Sequence, residues 1–242
     1  MQASTAPRPS DPPVQRIRLR YAKRGKLRFT SHRDVARAFE RALRAAGVPM
    51  AYSQGFNPHP RISWVGAAPT GAASEAEYAE IQLVRRLDPE LVRRELDAAL
   101  PDGLEVLAAQ ESGGGSLADQ VEVSRWRIEL PGISAAALAA AAAALMAASE
   151  VPVERLTKDG RRMVDARAAL VSAGVEGGSD RCGILTAVVR QVTPAVRPDD
   201  VLSALFVVAG VRPEVPAKAT RTAQGRLDDD GRIVDPLRHV DG

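Results

Sequence analysis

The amino-acid sequence predicts an α+β protein, and three observations lead to that class. Alternating apolar and polar residues, typical of half-buried strands, are interspersed with stretches whose apolar residues recur at helical spacing. Over residues 15–110 these patterns follow the order β-α-β-β-α-β, and a similar order recurs over residues 118–211. A glycine-rich linker, residues 111–117, lies between them and is flexible by composition. We therefore expect two ferredoxin-like (βαββαβ) units in tandem, each with an antiparallel sheet and helices on one face.

The first strand is predicted to begin at Arg16 and to be half-buried. Its alternation places three apolar side chains on one face and three basic side chains on the other, namely Ile17, Leu19 and Tyr21 against Arg16, Arg18 and Arg20. Because such alternation is typical of a strand with one face in water, we expect the arginines to form a basic outer face.

A helix is predicted from Ser31 to about Ala46. Ser31 is a preferred N-cap residue, and Asp34 three positions later completes a variant of the capping box. Gly47 ends the helix as its C′ residue. The helical spacing gives an apolar face made of Val35, Phe39, Ala42, Leu43 and Ala46. The opposite face is basic and consists of Arg33, Arg37, Arg41 and Arg44.

The remaining elements follow from the same periodicities and from their boundary residues. In the first unit we expect strands over residues 77–84 and 104–109 and a helix over 89–100, after extended chain over 50–65. In the second unit we expect strands over 121–130, 151–156, 164–172 and 184–192 and helices over 134–149 and 199–208. Residues 1–14 are expected to form a disordered N-terminal lead, and residues 212–242 a polar, poorly ordered tail.

Positive charge is concentrated in the first quarter of the chain. Residues 15–61 carry twelve lysines or arginines against two acidic residues, Asp34 and Glu40. Residues 1–14 are neutral, so the rest of the chain is net negative, because the whole sums to only +3. A field segregated in this way favours an anionic partner, with nucleic acid first and an acidic protein second.

Several functional classes are disfavoured by composition. The single cysteine, Cys182, excludes an internal disulfide, a four-cysteine zinc site and an iron–sulfur cluster. No paired-histidine motif is present, and we expect neither a metal nor another cofactor. The first fourteen residues lack a hydrophobic core of signal-peptide length, and no later stretch reaches transmembrane length. A cytoplasmic protein without a membrane partner is the resulting expectation.

The segment Tyr52–Arg61 is the most specific local signal. It is a loop stiffened by two prolines, with Gly55 giving conformational freedom. Tyr52 and Phe56 offer stacking surfaces, and the neighbouring amide, imidazole and guanidinium groups suit base edges or phosphates. With the basic helix, the loop predicts a nucleic-acid contact surface that consists of Arg28, His32, Arg37, Arg41, Tyr52, Gln54, Phe56, Asn57, His59 and Arg61.

His32 and His59 are the only histidines outside the tail, and both are candidate general bases. His32 is predicted at the first position of its helix, where the positive end of the helix dipole disfavours a charged imidazole. A neutral ring there can accept a proton or a hydrogen bond. A half-exposed histidine without a catalytic role fits the pattern as well, so the catalytic residues stay unassigned.

Two segments carry a resemblance to a known family. Lys26–Asp34 and Tyr52–Arg61, followed by Pro69-Thr70-Gly71, resemble the radical-SAM-linked family of uncharacterised bacterial proteins. The resemblance implies a companion of a radical SAM enzyme, with a genomic neighbourhood of RNA-processing functions. This chain has no CxxxCxxC motif, so the radical SAM cluster would have to be held by the partner.

Three functional hypotheses follow. The first is an RNA-binding accessory protein that presents an RNA to a radical SAM enzyme, without specificity for DNA. The second is a metal-independent endoribonuclease that uses His32 or His59, by fold-level similarity to CRISPR-RNA endonucleases. The third is a protein–protein adaptor whose basic face binds an acidic surface of the radical SAM partner.

Overall fold

The mixed α+β class predicted from the sequence is confirmed in a computed structural model of the chain, which describes residues 11–157 and 160–238. Unit 1 runs up to Gln120 and includes the chain from Pro236 onward, and unit 2 comprises Val121–Asp235. Every strand pairing described within either unit is antiparallel. Three predicted segments lie partly outside the described residues. They are the N-terminal lead up to residue 10, the turn of the second unit at residues 158 and 159, and the tail at residues 239–242.

In unit 1, strands and helices follow the predicted order. They are β1 (Gln15–Lys23), α1 (His32–Ala45), β2 (Ile62–Val65), β3 (Ala73–Leu83), α2 (Pro89–Ala99) and β4 (Leu104–Glu111). Strand β1 lies between β4 and β3, and β2 pairs with β3. The sheet order is therefore β4-β1-β3-β2, with the short strand β2 following the loop that the sequence singles out.

Both helices of unit 1 contribute to one hydrophobic core with the strands. Ile17 and Leu19 of β1, Phe39 and Leu43 of α1 and Leu96 of α2 are each at most 1% exposed and belong to the same cluster. The apolar faces predicted for β1 and α1 are thus confirmed, since these residues are the ones that their periodicities place inward.

Helix α1 begins and ends where its flanking residues predict. The Ser31 hydroxyl oxygen accepts a hydrogen bond from the Asp34 amide at 3.2 Å. At the other end Gly47 has φ +64°, and the Val48 amide donates to the Leu43 carbonyl at 3.0 Å. This is a Schellman ending, in which a left-handed glycine lets the chain turn back and satisfy a terminal carbonyl.

The N-cap offers a first test of the fold. Replacing Ser31 by alanine is expected to lower the free energy of unfolding by about 1 kcal/mol, because the Asp34 amide of α1 loses its side-chain acceptor. Urea denaturation measures this difference. Ser63→Ala, at an exposed serine of β2, is the control and should change stability by less than about 0.5 kcal/mol. Equal effects of the two changes would contradict the capping role.

The basic outer face predicted for β1 is wrong at Arg18, which is only 5% exposed. Its Nε donates to Glu80 Oε2 at 3.1 Å, and its Nη2 donates to the Gly114 and Gly115 carbonyls at 2.8 and 3.0 Å. Its Nη1 donates to Gln120 Oε1 at 3.1 Å. The glycine-rich segment therefore lies across this face of the sheet and accepts hydrogen bonds from the strand, an arrangement that alternation alone does not reveal.

Unit 2 contains a four-stranded sheet and a separate hairpin. Its elements are β5 (Val123–Pro131), α3 (Ala135–Ala147), β6 (Pro152–Thr157), β7 (Gly160–Asp165), α4 (Ala166–Ala169), β8 (Leu170–Ser179), β9 (Cys182–Arg190), α5 (Pro198–Ala209), β10 (Lys218–Leu227) and β11 (Ile233–Val234). The sheet order is β10-β5-β9-β8, while β6 pairs with β7 alone and β11 pairs with β10.

Two segments of unit 2 differ from the sequence expectation. The strand expected over residues 164–172 is interrupted by α4, because the Asp165 carboxylate accepts from the Arg167 and Ala168 amides and so starts a helical turn. The tail expected to be poorly ordered contains β10, which pairs with β5. Its buried side chains include Arg221 and Gln224, 2% and 1% exposed, so the strand lacks the apolar alternation by which strands are recognised.

Candidate functional site

The loop Tyr52–Arg61 has a closed stem. The Arg61 amide donates to the Ala51 carbonyl and the Ser53 amide to the His59 carbonyl, each at 2.8 Å. The His59 amide donates in turn to the Ser53 hydroxyl at 3.0 Å. These bonds hold the two ends of the loop together without using the side chains at its tip.

The tip of the loop presents its side chains to solvent. Phe56 is 100% exposed, so its ring contributes nothing to the core. Gln54, Asn57 and His59 are also exposed, and Gly55 turns the chain at φ +134°. A fully hydrated aromatic ring beside amide groups is a surface on which a base can stack.

The exposed face of α1 carries the predicted arginines. Arg33, Arg37, Arg41 and Arg44 are all exposed, and Arg37 Nη1 lies 3.8 Å from Asp34 Oδ1. Among the described residues the other three arginines have no carboxylate within ion-pair distance, and Glu40 has no basic partner. The positive charge of this face is therefore largely unpaired among the residues that the structure describes.

Helix α1 and the loop stem border one groove. Its volume is about 250 Å³, and its lining includes Glu40 and Arg44 of the helix and Tyr52 and Pro60 of the loop. At 100° per residue, Arg33, Arg37 and Arg44 lie within about 60° of Glu40 around the helix axis, and Arg41 lies about 100° away. Three of the four arginines are thus on the flank that faces the loop.

His32 is held at the N-terminal end of α1. Its ring makes an edge contact with the indole of Trp64, with centroids 5.3 Å apart and planes at 84°. Trp64 lies in β2 and packs on the core rings of Phe39 and Tyr21, at 5.3 and 5.9 Å. Because β2 starts directly after Arg61, Trp64 links His32 to the strand that follows the loop. Trp64 is not among the contact residues predicted from the sequence, although a tryptophan close to the loop segment is a signal that the sequence offers.

Arg28 is placed on the 3-10 turn Gly25–Phe29 that precedes α1. Its guanidinium carbon lies 4.6 Å from the centroid of the Phe29 ring. Its Nε is buried without a hydrogen-bond partner among the described residues, and its carbonyl accepts from the Gly71 amide at 2.8 Å. Among the described residues no hydrogen bond or ring contact joins Arg28 to the loop Tyr52–Arg61.

The cations of the predicted basic segment differ in how they are paired. Two of those in β1 and just after it have close carboxylate partners within unit 1: Arg18 binds Glu80, and Arg24 binds Glu75 and Glu105, whose hydrogen bonds raise the pKa of the guanidinium. Lys23 is 3% exposed, with its Nζ 3.3 Å from the Ala68 carbonyl oxygen. Among the described residues, positive charge without an ion-pair partner is therefore carried by α1, by Arg61 of the loop, whose Nε donates to the Tyr52 carbonyl at 3.2 Å, and by Lys26 and Arg28 of the turn before α1.

Over residues 11–157 and 160–238 no group of three or more histidine, cysteine or acidic side chains is placed to hold a metal ion. Within the same ranges no helix has the length and apolar character needed to cross a membrane. Cys182 is a free, partly buried thiol at the start of β9.

Over the described residues this is an α+β protein in which three of the four α1 arginines have no carboxylate partner and a loop with an exposed phenylalanine follows the helix. The model of one protein family matches residues 16–198, and the chain belongs to that family, whose description is "Uncharacterized protein conserved in bacteria (DUF2344)". A comparison with curated proteins finds no match.

Two solved structures match over most of the chain. One is DyPB from Rhodococcus jostii RHA1, 12% identical over 89% of this chain and 92% of that chain, with a TM-score of 0.23. The other is the encapsulated DyP-type peroxidase from Mycobacterium smegmatis, 10% identical over 91% and 94%, with a TM-score of 0.22. At these scores neither likeness carries an argument about fold or function.

Proposed function

We propose that this chain is an RNA-binding accessory protein whose contact surface is α1 and the loop Tyr52–Arg61 of unit 1. One observation carries the proposal: arginines of α1 that are exposed and have no carboxylate partner among the described residues lie near a loop with a fully exposed phenylalanine at its tip. Like charges repel one another, so such a face is stabilised by an anion that neutralises it.

The side chains divide by chemistry into three roles. The α1 arginines suit the phosphate backbone, and Phe56 suits stacking on an unpaired base. Gln54 and Asn57 carry both donors and acceptors and suit base edges. Stacking needs bases that are free of a duplex, so we expect single-stranded RNA or an RNA loop as the target, with no preference for DNA.

We extend the proposal to the fold of each unit. We take each unit as ferredoxin-like, since in each sheet the first strand lies between the last and the third of its four strands. For unit 2 this requires β10 as the last strand, so its domain extends beyond residue 211. The segment predicted as the linker, residues 111–117, then lies between the last strand of the first domain and the first strand of the second, and its first residue, Glu111, ends β4.

The radical SAM partner rests on the resemblance carried by Lys26–Asp34 and Tyr52–Arg61. Co-purification of the chain with a radical SAM protein encoded near it tests this part. A stable complex together with no affinity for RNA would favour the adaptor hypothesis instead.

The central experiment is fluorescence-anisotropy binding to tRNA and ribosomal RNA fragments across a salt series, with DNA of matched sequence alongside. We expect binding to RNA that weakens steeply as salt rises, because bound phosphates release counterions. No binding at about 0.15 M ionic strength would overturn the proposal. RNA recovered intact after metal-free incubation would exclude the nuclease hypothesis, whereas cleavage lost in His32→Ala or His59→Ala would support it.

Phe56 gives a prediction that separates binding from folding. Phe56→Ala is expected to weaken RNA binding by about 1–3 kcal/mol, the contribution of one stacked base. Stability should change by less than about 0.5 kcal/mol, because the ring is fully exposed. Leu156→Ala, at an 81% exposed leucine of unit 2, is the matched control and should leave binding unchanged. Unaltered affinity in Phe56→Ala would remove the loop tip from the contact surface.

A further inference from the structure

Unit 2 carries an open groove that the proposed RNA surface does not include. Its volume is about 870 Å³, and its walls are α5, the hairpin β6–β7 and the segment 212–217. All of these elements lie within unit 2.

The groove is lined by large apolar side chains that remain in contact with water. Met163 of β7 is 59% exposed, Phe206 and Val207 of α5 are 50% and 59% exposed, and Val215 is 51% exposed. Single exposed apolar residues are ordinary, but several that converge on one concave surface mark an interaction site. Met163 adds an adaptable thioether that can fit partners of irregular shape.

The polar part of the groove lining is acidic. Asp199 and Glu214 have no basic partner among the described residues, and Glu154 is paired with Arg161 at 3.3 Å. The one basic lining residue, Arg212, lies with its guanidinium carbon 5.7 Å from the centroid of the Phe206 ring. An occupant with apolar anchors and flanking positive charges is complementary to this surface.

The walls of the groove favour an occupant whose backbone amides and carbonyls are hydrogen-bonded to one another, as they are in a helix. Pro152, Pro213 and Pro216 line it and have no amide hydrogen to offer an extended peptide. Helix α5 offers an occupant its side chains and not its backbone, because its backbone amides and carbonyls are hydrogen-bonded within the helix. We propose that this groove docks an amphipathic helix of a partner protein, with apolar anchors at i, i+3 or i+4 and i+7 and with lysines or arginines beside them.

The described residues of this chain do not supply such a helix for a second copy. The basic amphipathic helix described in this chain is α1, and its apolar residues Phe39 and Leu43 are already buried in unit 1, at 0% and 1% exposure. A second copy of the chain therefore has no free basic amphipathic helix among the described residues. The partner helix comes from a different polypeptide.

The probe is a fluorescein-labelled 18-residue peptide of leucine and lysine patterned as an amphipathic helix. A matched peptide with glutamate in place of lysine tests the charge requirement. Binding to the full chain is followed by fluorescence anisotropy, and thermal unfolding confirms that each variant folds. We expect the lysine peptide to bind and the glutamate peptide to bind at least tenfold more weakly.

Two variants locate the site. Phe206→Ser with Val207→Ser should weaken binding of the lysine peptide at least tenfold, whereas Leu156→Ser, at an exposed leucine outside the groove lining, should not change it. Asp199→Asn with Glu214→Gln should weaken binding and reduce its salt dependence, in contrast to Asp180→Asn with Asp229→Asn at exposed sites elsewhere in unit 2.

Three outcomes would overturn the proposal. The first is equal binding of the lysine peptide to the groove variants and to the controls. The second is self-association in sedimentation that Phe206→Ser with Val207→Ser abolishes, which would make a second copy the occupant. The third is binding to anionic lipid vesicles that the same variant abolishes while peptide binding is absent, which would make the groove a membrane contact.

Discussion

Reversing the charge of two helix arginines, Arg37→Glu with Arg41→Glu, is expected to remove most of the affinity for RNA. Each contact between a guanidinium and a phosphate contributes roughly 1.5–3 kcal/mol, so each loss weakens binding about ten- to hundredfold. The slope of the logarithm of affinity against the logarithm of salt should fall by about two, because two phosphate contacts are lost.

The control variant has the same change in net charge, made at two other arginines of unit 1. Arg85→Glu with Arg94→Glu alters two exposed arginines that belong neither to α1 nor to the loop. If both pairs weakened binding equally, RNA would respond to total charge alone, and the surface assigned to α1 would be wrong. Binding curves at three salt concentrations separate these cases.

Arg18→Ala is expected to be the most destabilising of the changes considered. It leaves the Glu80 carboxylate, 6% exposed, without its close partner, and it removes the donor to the Gly114 and Gly115 carbonyls. Breaking one side of a buried ion pair costs about 3–5 kcal/mol. Urea denaturation at neutral pH measures the loss.

Arg16→Ala is the matched control, because Arg16 lies near the same Glu80 carboxylate. Arg16 Nη1 lies 3.8 Å from Glu80 Oε1, but the Arg16 side chain is 55% exposed. An exposed ion pair contributes about 0–1 kcal/mol, so this change should be nearly neutral. Similar losses in the two variants would contradict the buried role of Arg18.

Local signals account for what the sequence predicted well. The ends of α1 depend on Ser31 and Gly47, which act within a few residues of themselves, and its faces depend on a single periodicity. The loop was recognised from its own glycine, prolines and aromatics. Each of these features is decided by residues adjacent in the chain.

Features that depend on distant residues were missed. The partner of Arg18 lies sixty-two positions away, so its burial follows from strand register and from where the glycine-rich segment runs. The contact of His32 with Trp64 likewise needs β2 beside α1. Strand β10 was missed because Arg221 and Gln224 occupy buried positions where alternation would place apolar residues.

The position of β10 has a consequence for synthesis of the protein. Its residues Lys218–Gly225 pair with Glu129–Val123 of β5, so the sheet joins segments that are made at opposite ends of the unit 2 coding sequence. During translation β5 emerges from the ribosome long before its neighbour, with one edge open to other strands. Unit 2 completes its sheet only after residue 225 has emerged, and a nascent chain stalled at residue 211 would expose that edge to aggregation or to chaperones.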